Sequence, residues 1–596
     1  MQSQQDIALI ANDSEVGTNF IPDKMPGARL VSSLFLNRCG QVSSRSLICG
    51  FLQENASIPV LINCPNHVHR SDIYDSIQVL ESQDVNIRLF ILDHQFRSQQ
   101  SSRERAFICE VLILEPHHDQ VLYSIPNQFD DEASCILQSI FKEPLKLSDR
   151  GNSVSFLAKL VETFKIVQFT GVLEAMRLAR SMDISSTVML DIIQHAAAKS
   201  GAALEITNTV FHNGRKPSTG ILKKWLSDTK DFEEILNILG TPVSLLNSAQ
   251  STISRLIDDG GLEGLFLKQQ TSVNIESTMK DPVPRDSPQF FQDWHTTIFV
   301  CGLGPIGMGI SRTFSRSSLK VYAFDILDEK MTEVSSYGVK PVTFTQGLEI
   351  SDYVCMVVNN ADQILQAIQR NKTTIRRKKG QKWFLHSTMA SSDAINILET
   401  LQNLNPQISV VDAPVSGGPV KAQSGQLLII VGESKCPSVH WVLSMIAARL
   451  IYVHRFGDGC RLKALHQIPA ALNLVSSFQF FNVGLSDGFS KKFLYKFLKR
   501  TSAWNMYLID RIDKLIGLDF TRDAQLSIWT KDLAIVQRET SESLPLVDEL
   551  QSLYNKASDM GLGREADSTI AHVIGRLFER VSRSDMGIGK DLTALL

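Results

Sequence analysis

Thr297–Asp325 reads TIFVCGLGPIGMGISRTFSRSSLKVYAFD. A short apolar run, Ile298–Cys301, ends in the turn Gly302-Leu303-Gly304-Pro305-Ile306-Gly307, and a stretch compatible with a helix follows. A second apolar run, Leu319–Phe324, closes at Asp325, 23 residues after Gly302. Strand, glycine turn, helix, strand and terminal acid are the order in which a parallel sheet builds a dinucleotide site. Further strand-like runs stand at Tyr353–Val358, Trp383–His386 and Ser409–Asp412, separated by helix-length segments. Strands alternating with helices predict a doubly wound parallel sheet. From about 445 onward the periodicity turns helical, which predicts a second, mostly helical domain.

The rest of the 596 residues sets the frame. At ~150 residues per domain the length suggests about four domains. Hydrophobic residues make up 43% and charged residues 21%, which excludes wholesale disorder. Sixty Lys plus Arg nearly balance 63 Asp plus Glu, for a net charge of −3. That balance gives no electrostatic reason to expect a nucleic acid or a membrane surface as partner. No unbroken apolar run approaches the ~18 residues of a membrane span. No secretory signal is legible in MQSQQDIALIANDSE. Nine cysteines lack CxxC pairing or metal-like spacing, so the expectation is a reduced, cytoplasmic chain with no metal site.

The chain also repeats itself. Ile7–Gly17, IALIANDSEVG, overlays Thr297–Gly307, but Asn12 and Ser14 replace the first two glycines and only Gly17 survives. Ser153-x-Ser155-x-x-x-Lys159 overlays Gly457-x-Gly459-x-x-x-Lys463, and Thr229-Lys230-Asp231 overlays Thr530-Lys531-Asp532. The order is kept and the offsets are similar. The predicted fold is therefore an α/β Rossmann-type domain followed by an all-α domain, the pair present twice, with the first pair degenerate. The boundaries are 1–140 and 141–267 for the first pair, 268–295 for a linker, and 296–445 and 446–596 for the second pair. The linker, KQQTSVNIESTMKDPVPRDSPQFFQDWH, has two prolines close together and little apolar periodicity.

Each residue type has a chemical reason to be where it is. Gly302 permits the tight turn, Gly304 lets a pyrophosphate approach the backbone, and Gly307 lets the helix pack on the strand. The helix start then offers N–H groups and partial positive charge to phosphate. Asp325 at the strand end accepts bonds from both ribose hydroxyls and repels a 2′-phosphate, which favours NAD over NADP; the alternative is a solvated strand-end carboxylate. Ser416-Gly417-Gly418, within DAPVSGG at 412–418, offers a hydroxyl and bare N–H groups to a carboxylate, or is simply a loop. Lys463 is a surface cation or, if buried, a proton carrier.

GLGPIGMGIS, DAPVSGGPVKAQSGQ, GDGCRLKALHQ and WTKDLAIV, in this order, resemble the β-hydroxyacid dehydrogenase family. VVNNADQ at 357–363 and SGGPVKA at 416–422 look closest to its L-threonate dehydrogenase branch. The resemblance covers about 296–596; over 1–280 it is an echo, strongest at LEAMRLARSMDIS, 173–185. It implies an NAD-dependent oxidoreductase whose partner is a small hydroxy acid. Gly302, Leu303, Gly304, Pro305, Ile306 and Gly307 would hold the pyrophosphate, and Asp325 the adenosine ribose. Val358, Asn359, Ser387 and Thr388 would line the nicotinamide side. Ser416, Gly417 and Gly418 would hold the substrate carboxylate. Lys463 would exchange a proton with the reacting hydroxyl, and Lys531 would contact cofactor or substrate.

Two departures stand out. His466 and Gln467 occupy the substrate-contacting places where the family has asparagines, and Gln479-Phe480 replaces its Glu-Ala. The first copy departs further: RAFICEVLILE stands at 105–115 in place of DAPVSGG. It reads as a non-catalytic copy supplying a dimer-like partner surface within one chain, with further self-association open. The competing readings are a catalytically silent protein that binds NAD or a metabolite, and an imine or ketone reductase.

Overall fold

The computed structural model describes the backbone of seven strands before residue 147. It then describes 154–207, 219–238, 242–261, 265, 296–317, 319–432, 436–453, 455–512 and 524–574. Asn12, Ser14, Gly17, Ser153 and the 268–295 segment lie outside the described residues. The chain divides into two compact units. One holds Met1–Ile166, Asp231–Thr241 and Phe480–Trp504, and the other Val167–Lys230, Pro242–Gln479 and Asn505–Leu596.

The first unit is built on one sheet. Its strands are β1 (Gln5–Ala11), β2 (Ala28–Phe35), β3 (Val60–Asn63), β4 (Ile87–Ile91), β5 (Ala106–Ile113), β6 (Val121–Ser124) and β7 (Leu145–Lys146). Their order across the sheet is β2-β1-β3-β4-β5-β6-β7. Neighbours run parallel except β5 and β6.

The helices that matter below are α1 (Val154–Ser181), α2 (Ser186–His195), α3 (Thr219–Ile238) and α4 (Ser244–Asp258) in the first half of the chain. In the second half they are α5 (Pro305–Ser315), α6 (Ser391–Leu404), α7 (Gly418–Ser424), α8 (Asp458–Ser486), α9 (Lys491–Leu498), α10 (Leu526–Glu539) and α11 (Pro545–Asp559). Within the first unit Phe156 of α1 stacks on Phe489, which precedes α9, ring centroids 6.4 Å apart.

The second unit contains the sheet predicted from the glycine turn. Its strands are β8 (Thr297–Cys301), β9 (Lys320–Phe324), β10 (Lys340–Pro341), β11 (Tyr353–Met356), β12 (Lys382–Leu385) and β13 (Ser409–Asp412). They lie in the order β10-β9-β8-β11-β12-β13, and every pair is parallel. Helices cover both faces of such a sheet, so its central strands read as continuous apolar runs. Ile298, Phe299 and Val300 of β8 are fully buried. Ile298 and Val300 pack on one face with Phe384, and Phe299 on the other with Trp383. The order in which strands are added reverses between β8 and β11, and a ligand crevice opens at such a point outside the carboxyl ends of the strands.

A smaller sheet follows: β14 (Val415–Ser416) runs antiparallel to β15 (Leu427–Val431), which is parallel to β16 (Ala447–Tyr452). β16 lies beyond 445, where the sequence periodicity turns helical. The long helix α8 then begins at Asp458. Its 29 residues are apolar enough to cross a membrane by length and composition, but 89% of the qualifying window is buried inside the protein. Burial of this kind marks the central helix of a bundle. Gly171 of α1 meets α8 closely: a Cβ there would fall 2.6 Å from Leu472 Cδ2 and 3.3 Å from Pro469 Cα.

Candidate functional site

Strand register aligns the site. Cys301 pairs with Phe324 on one side and Met356 on the other, Met356 pairs with Leu385, and Leu385 with Asp412. The residues that follow this row are the ones the sequence singles out: Gly302, Asp325, Val358, Ser387 and the DAPVSGG turn. Parallel pairing has brought segments more than a hundred residues apart to one edge.

The three glycines differ in what surrounds them. Gly302 has φ +93°, and its N–H donates to Phe324 O at 2.9 Å. A Cβ on it would run into the Val357 carbonyl. Gly307 sits on the turn so closely that a Cβ would overlap the Gly302 carbonyl oxygen. Gly304 begins α5, with Pro305 at the first helical position, and a Cβ there would meet nothing within 4 Å. Crowded, open and crowded is the pattern expected if only the middle glycine faces a ligand.

Asp325 is half-buried at the end of β9. Its Oδ2 accepts the Leu303 N–H at 2.6 Å and its Oδ1 the Leu327 N–H at 3.0 Å. A carboxylate has about four lone-pair sites, so it can brace the glycine turn and still accept from a ribose.

On the other side of the switch point, Val358 N–H donates to Ser387 Oγ at 2.9 Å, and Ser387 Oγ donates to Met356 O at 3.3 Å. Ser387 thus ties the ends of β11 and β12 together. Asn359 is exposed, its N–H held by Gln363 Oε1 at 2.9 Å. Lys531 of α10 reaches these loops: its Nζ donates to Asn359 O at 3.1 Å and Thr388 O at 3.3 Å. His386 is buried and bonds Ala413 O through Nδ1 at 2.7 Å. Burial pushes its pKa down to about 4, so the ring is neutral at physiological pH.

The Ser416-Gly417-Gly418 turn is conformationally special. Gly417 has φ +136° and Gly418 φ +74°, values that favour glycine. Ser416 is buried, and its Oγ has no hydrogen-bond partner among the described residues. An unsatisfied buried hydroxyl is costly, which makes it a natural donor to a ligand.

Spacing alone gave Asp412 no role, yet the structure makes it the anchor of α8. Its fully buried Oδ2 accepts Gly457 N–H at 3.0 Å and Cys460 N–H at 3.1 Å, and the Gly459 N–H also bonds it. Gly432 and Gly459 make room for the carboxylate, since a Cβ on either would collide with it. The legible signal was an acid ending a strand, followed 45 residues later by Gly-x-Gly opening a helix. Burial pushes this carboxyl up to about 7, against the pull of the three N–H groups.

Two results are expected. Asp412→Ala strands three helix-start N–H groups and costs about 1–3 kcal/mol in denaturant unfolding. In the native protein the carboxyl holds its proton more tightly than in the unfolded chain, where its pKa is about 4. Native Asp412 therefore binds more protons between those two pKa values, and its contribution to stability falls as pH rises through that window. In Asp412→Asn that decline disappears.

Lys463 lies on α8, six residues past Gly457. It is 7% exposed, and its side chain bonds no described residue. Burial lowers its pKa to about 8; the Asp532 carboxylate raises it and the Lys531 ammonium lowers it further. His466 and Gln467, one turn on, are buried in a relay. Ala198 N–H donates to His466 Nε2 at 3.2 Å, so Nδ1 carries the proton and donates to Gln467 Oε1 at 3.1 Å. Gln467 Nε2 then donates to Asp532 Oδ2. Burial, with Lys463 beside it, holds His466 well below its usual range and neutral. Gln479 donates to Pro242 O at 2.8 Å.

Glu539 also escaped the sequence reading. It accepts Ser391 N–H at 2.5 Å and Ser391 Oγ–H at 2.7 Å, which caps α6 from the end of α10. Among the described residues no group of three or more His, Cys, Asp or Glu is placed to hold a metal ion.

The comparisons agree with this geometry. Residues 297–454 match the family of the NAD binding domain of 6-phosphogluconate dehydrogenase. The L-threonate dehydrogenase of Haemophilus influenzae is 26% identical over 287 residues, covering 46% of this chain and 94% of that protein. The 2-(hydroxymethyl)glutarate dehydrogenase of Eubacterium barkeri is 24% identical, covering 46% and 92%. The mitochondrial 3-hydroxyisobutyrate dehydrogenase of Mus musculus is 21% identical, covering 42% and 78%. An open Gly304, a braced turn and an acid at the end of the second strand fit a nicotinamide dinucleotide. Over 297–454 the chain thus matches the NAD-binding domain family of 6-phosphogluconate dehydrogenase, and its second half is similar to β-hydroxyacid dehydrogenases.

Proposed function

We propose that the second half of the chain is an oxidoreductase that moves hydride between a small hydroxy acid, of the 3-hydroxyisobutyrate or L-threonate kind, and NAD. One observation carries the reading. A buried lysine whose side chain bonds no described residue stands one helix turn beyond the Asp412 anchor, within electrostatic reach of Lys531, which bonds the Asn359 and Thr388 loops.

A bound nicotinamide would supply the hydride acceptor. Gly302–Gly307 would hold the pyrophosphate through backbone N–H groups, and Asp325 the ribose. Ser416 Oγ and the Gly417 and Gly418 N–H groups would hold the substrate carboxylate and so orient its carbinol. Neutral Lys463 takes the hydroxyl proton as the alcohol is oxidised; in the reverse direction its ammonium returns it. Lys531 closes α10 over the nicotinamide loops. Gln467 and His466 keep Asp532 and the Lys463 turn of α8 in place from beneath any contact they make with substrate.

The reading is tested by following reduced nicotinamide with the full chain and a panel of hydroxy acids. Turnover of at least one acid is expected; binding of NAD without turnover of any would favour the silent-binder alternative. Preference for NAD over NADP rests on Asp325. In Asp325→Ala the ratio of their kcat/KM values should fall by about tenfold or more, since a 2′-phosphate no longer faces a carboxylate. An unchanged ratio would remove Asp325 from cofactor selection.

We infer that the first half is a non-catalytic copy of the second. The order β2-β1-β3-β4-β5 matches β9-β8-β11-β12-β13, and the antiparallel then parallel pairing of β6 and β7 matches that of β15 and β16. α4 and α11 are both 15 residues long, at the same offset as the two Thr-Lys-Asp triplets. Lys159 and Lys230 are exposed, whereas Lys463 is buried. The close approach of α1 and α8 at Gly171 supports a dimer-like pairing within one chain. Four described cysteines, Cys301, Cys355, Cys436 and Cys460, are free thiols, which agrees with a reducing, cytoplasmic setting.

A further inference from the structure

Lys199 and Lys421 stand out among the cations of the second unit. Arg449 pairs with Asp191 at 2.7 Å and Arg461 with Asp458 at 2.7 Å. Lys199 and Lys421 are half-buried, and neither makes an ion pair or hydrogen bond through its side chain with a described residue.

Their backbones are firmly placed. Lys421 lies on α7, and its stem covers the carboxylate turn: a Cβ on Gly417 would fall 2.8 Å from Lys421 Cδ and 3.1 Å from its Cβ. Lys199 sits in the loop after α2, and that loop is sewn to the second half on both sides. Ala198 bonds His466 and accepts Asn473 Nδ2 at 2.9 Å. Lys199 O accepts Met506 N–H at 3.1 Å, and Ser200 bridges Asn505. The loop is thus fixed one turn of α8 from Lys463. The two ammonium groups are close enough that Lys199 adds to the burial that lowers the pKa of Lys421. Two half-desolvated like charges without a counter-ion repel, and an anion between them relieves that cost. The buried, unpartnered Ser416 Oγ lies on the same turn.

We infer that Lys199 and Lys421 form a subsite for a second anionic group, carboxylate or phosphate, on the hydroxy acid held by Ser416-Gly417-Gly418. This rests on the dehydrogenase reading above, and it gives the first half of the chain a direct part in substrate choice.

The test compares two substrate pairs in the full chain: 3-hydroxyisobutyrate against 2-(hydroxymethyl)glutarate, and L-threonate against its 4-phosphate. Wild type is expected to favour the doubly anionic member of at least one pair, and which pair responds identifies the group. Lys199→Gln and Lys421→Gln should each cut that kcat/KM ratio by about tenfold, the worth of one charge-assisted contact. Calorimetric titration of the same acids, with NAD affinity and thermal midpoint as controls, supplies a readout independent of turnover. If no acid is oxidised but the doubly anionic acids still bind and weaken in both variants, the dehydrogenase reading fails and the subsite stands. A ratio unchanged in both variants, a preference for the singly charged acids, or NAD affinity falling in parallel would overturn the subsite.

Discussion

Lys463→Ala is expected to lower kcat for hydroxy-acid oxidation by about 10²–10⁴-fold, the usual worth of a placed acid–base group. The dinucleotide should bind it as it binds wild type, because on the proposed reading pyrophosphate and ribose would be held by the glycine turn and Asp325. Lys463→Arg is the sharper variant. It keeps a cation but cannot give up its proton near neutral pH, so oxidation should stay as low as in the alanine variant. The pH dependence follows from the lowered pKa. Oxidation needs the neutral amine, so kcat/KM should rise with pH through about 8 and level off above it. The reverse reaction needs the ammonium and should fall over the same range. Both limbs should vanish in the variants, a change that steady-state rates measured between pH 6 and 10 would reveal. Full activity in Lys463→Arg would mean that the residue acts only as a charge.

Gly304→Val should abolish dinucleotide binding while leaving the fold intact. A side chain there meets no protein atom within 4 Å, and the backbone, at φ −59°, is one that valine adopts readily. The unfolding free energy should therefore change as little as for an ordinary surface substitution, about 0.5 kcal/mol or less. Fluorescence titration should show NAD affinity lost. Gly307→Val provides the contrast: its Cβ would drive into the Gly302 carbonyl, so the protein should lose stability as well as binding. If Gly304→Val bound NAD normally, the glycine turn would be a structural turn and nothing more.

The second half was legible because its signals are local. A five-residue apolar strand, a glycine turn and a terminal acid lie within 29 consecutive residues, and parallel pairing does the rest. That stretch, with the runs at Tyr353–Val358, Trp383–His386 and Ser409–Asp412, pointed to a parallel sheet; the strand order and the aligned strand ends came from the structure. What was not legible depends on pairings across long separations. Asp412 looked like part of a loop motif because its partners, Gly457 and Cys460, stand 45 and 48 residues away. Glu539 and Ser391 are 148 residues apart, and Ala198 and His466 are 268 apart. No periodicity predicts such contacts. Lys463 shows the same limit from the other side: its spacing suggested a proton carrier or a surface cation, and only burial separates the two. Lys159, which the sequence overlay sets against Lys463, carries the same side chain on an exposed position.

A helix as apolar as α8 is stable here because 89% of its most apolar window is buried inside the protein. Its first turn is held by Asp412, its next by the His466–Gln467–Asp532 relay, and its middle by the close packing against Gly171. Anything that loosens those three anchors should move Lys463, so on the proposed reading such changes should lower turnover as well as stability.

The account is tested most directly by a crystal structure of the full chain with NAD and a slowly reacting hydroxy acid. It predicts the pyrophosphate on the Gly302–Gly307 turn and Lys463 Nζ within about 3 Å of the carbinol oxygen. A ligand seated elsewhere, or a Lys463 side chain turned away from that oxygen, would contradict it.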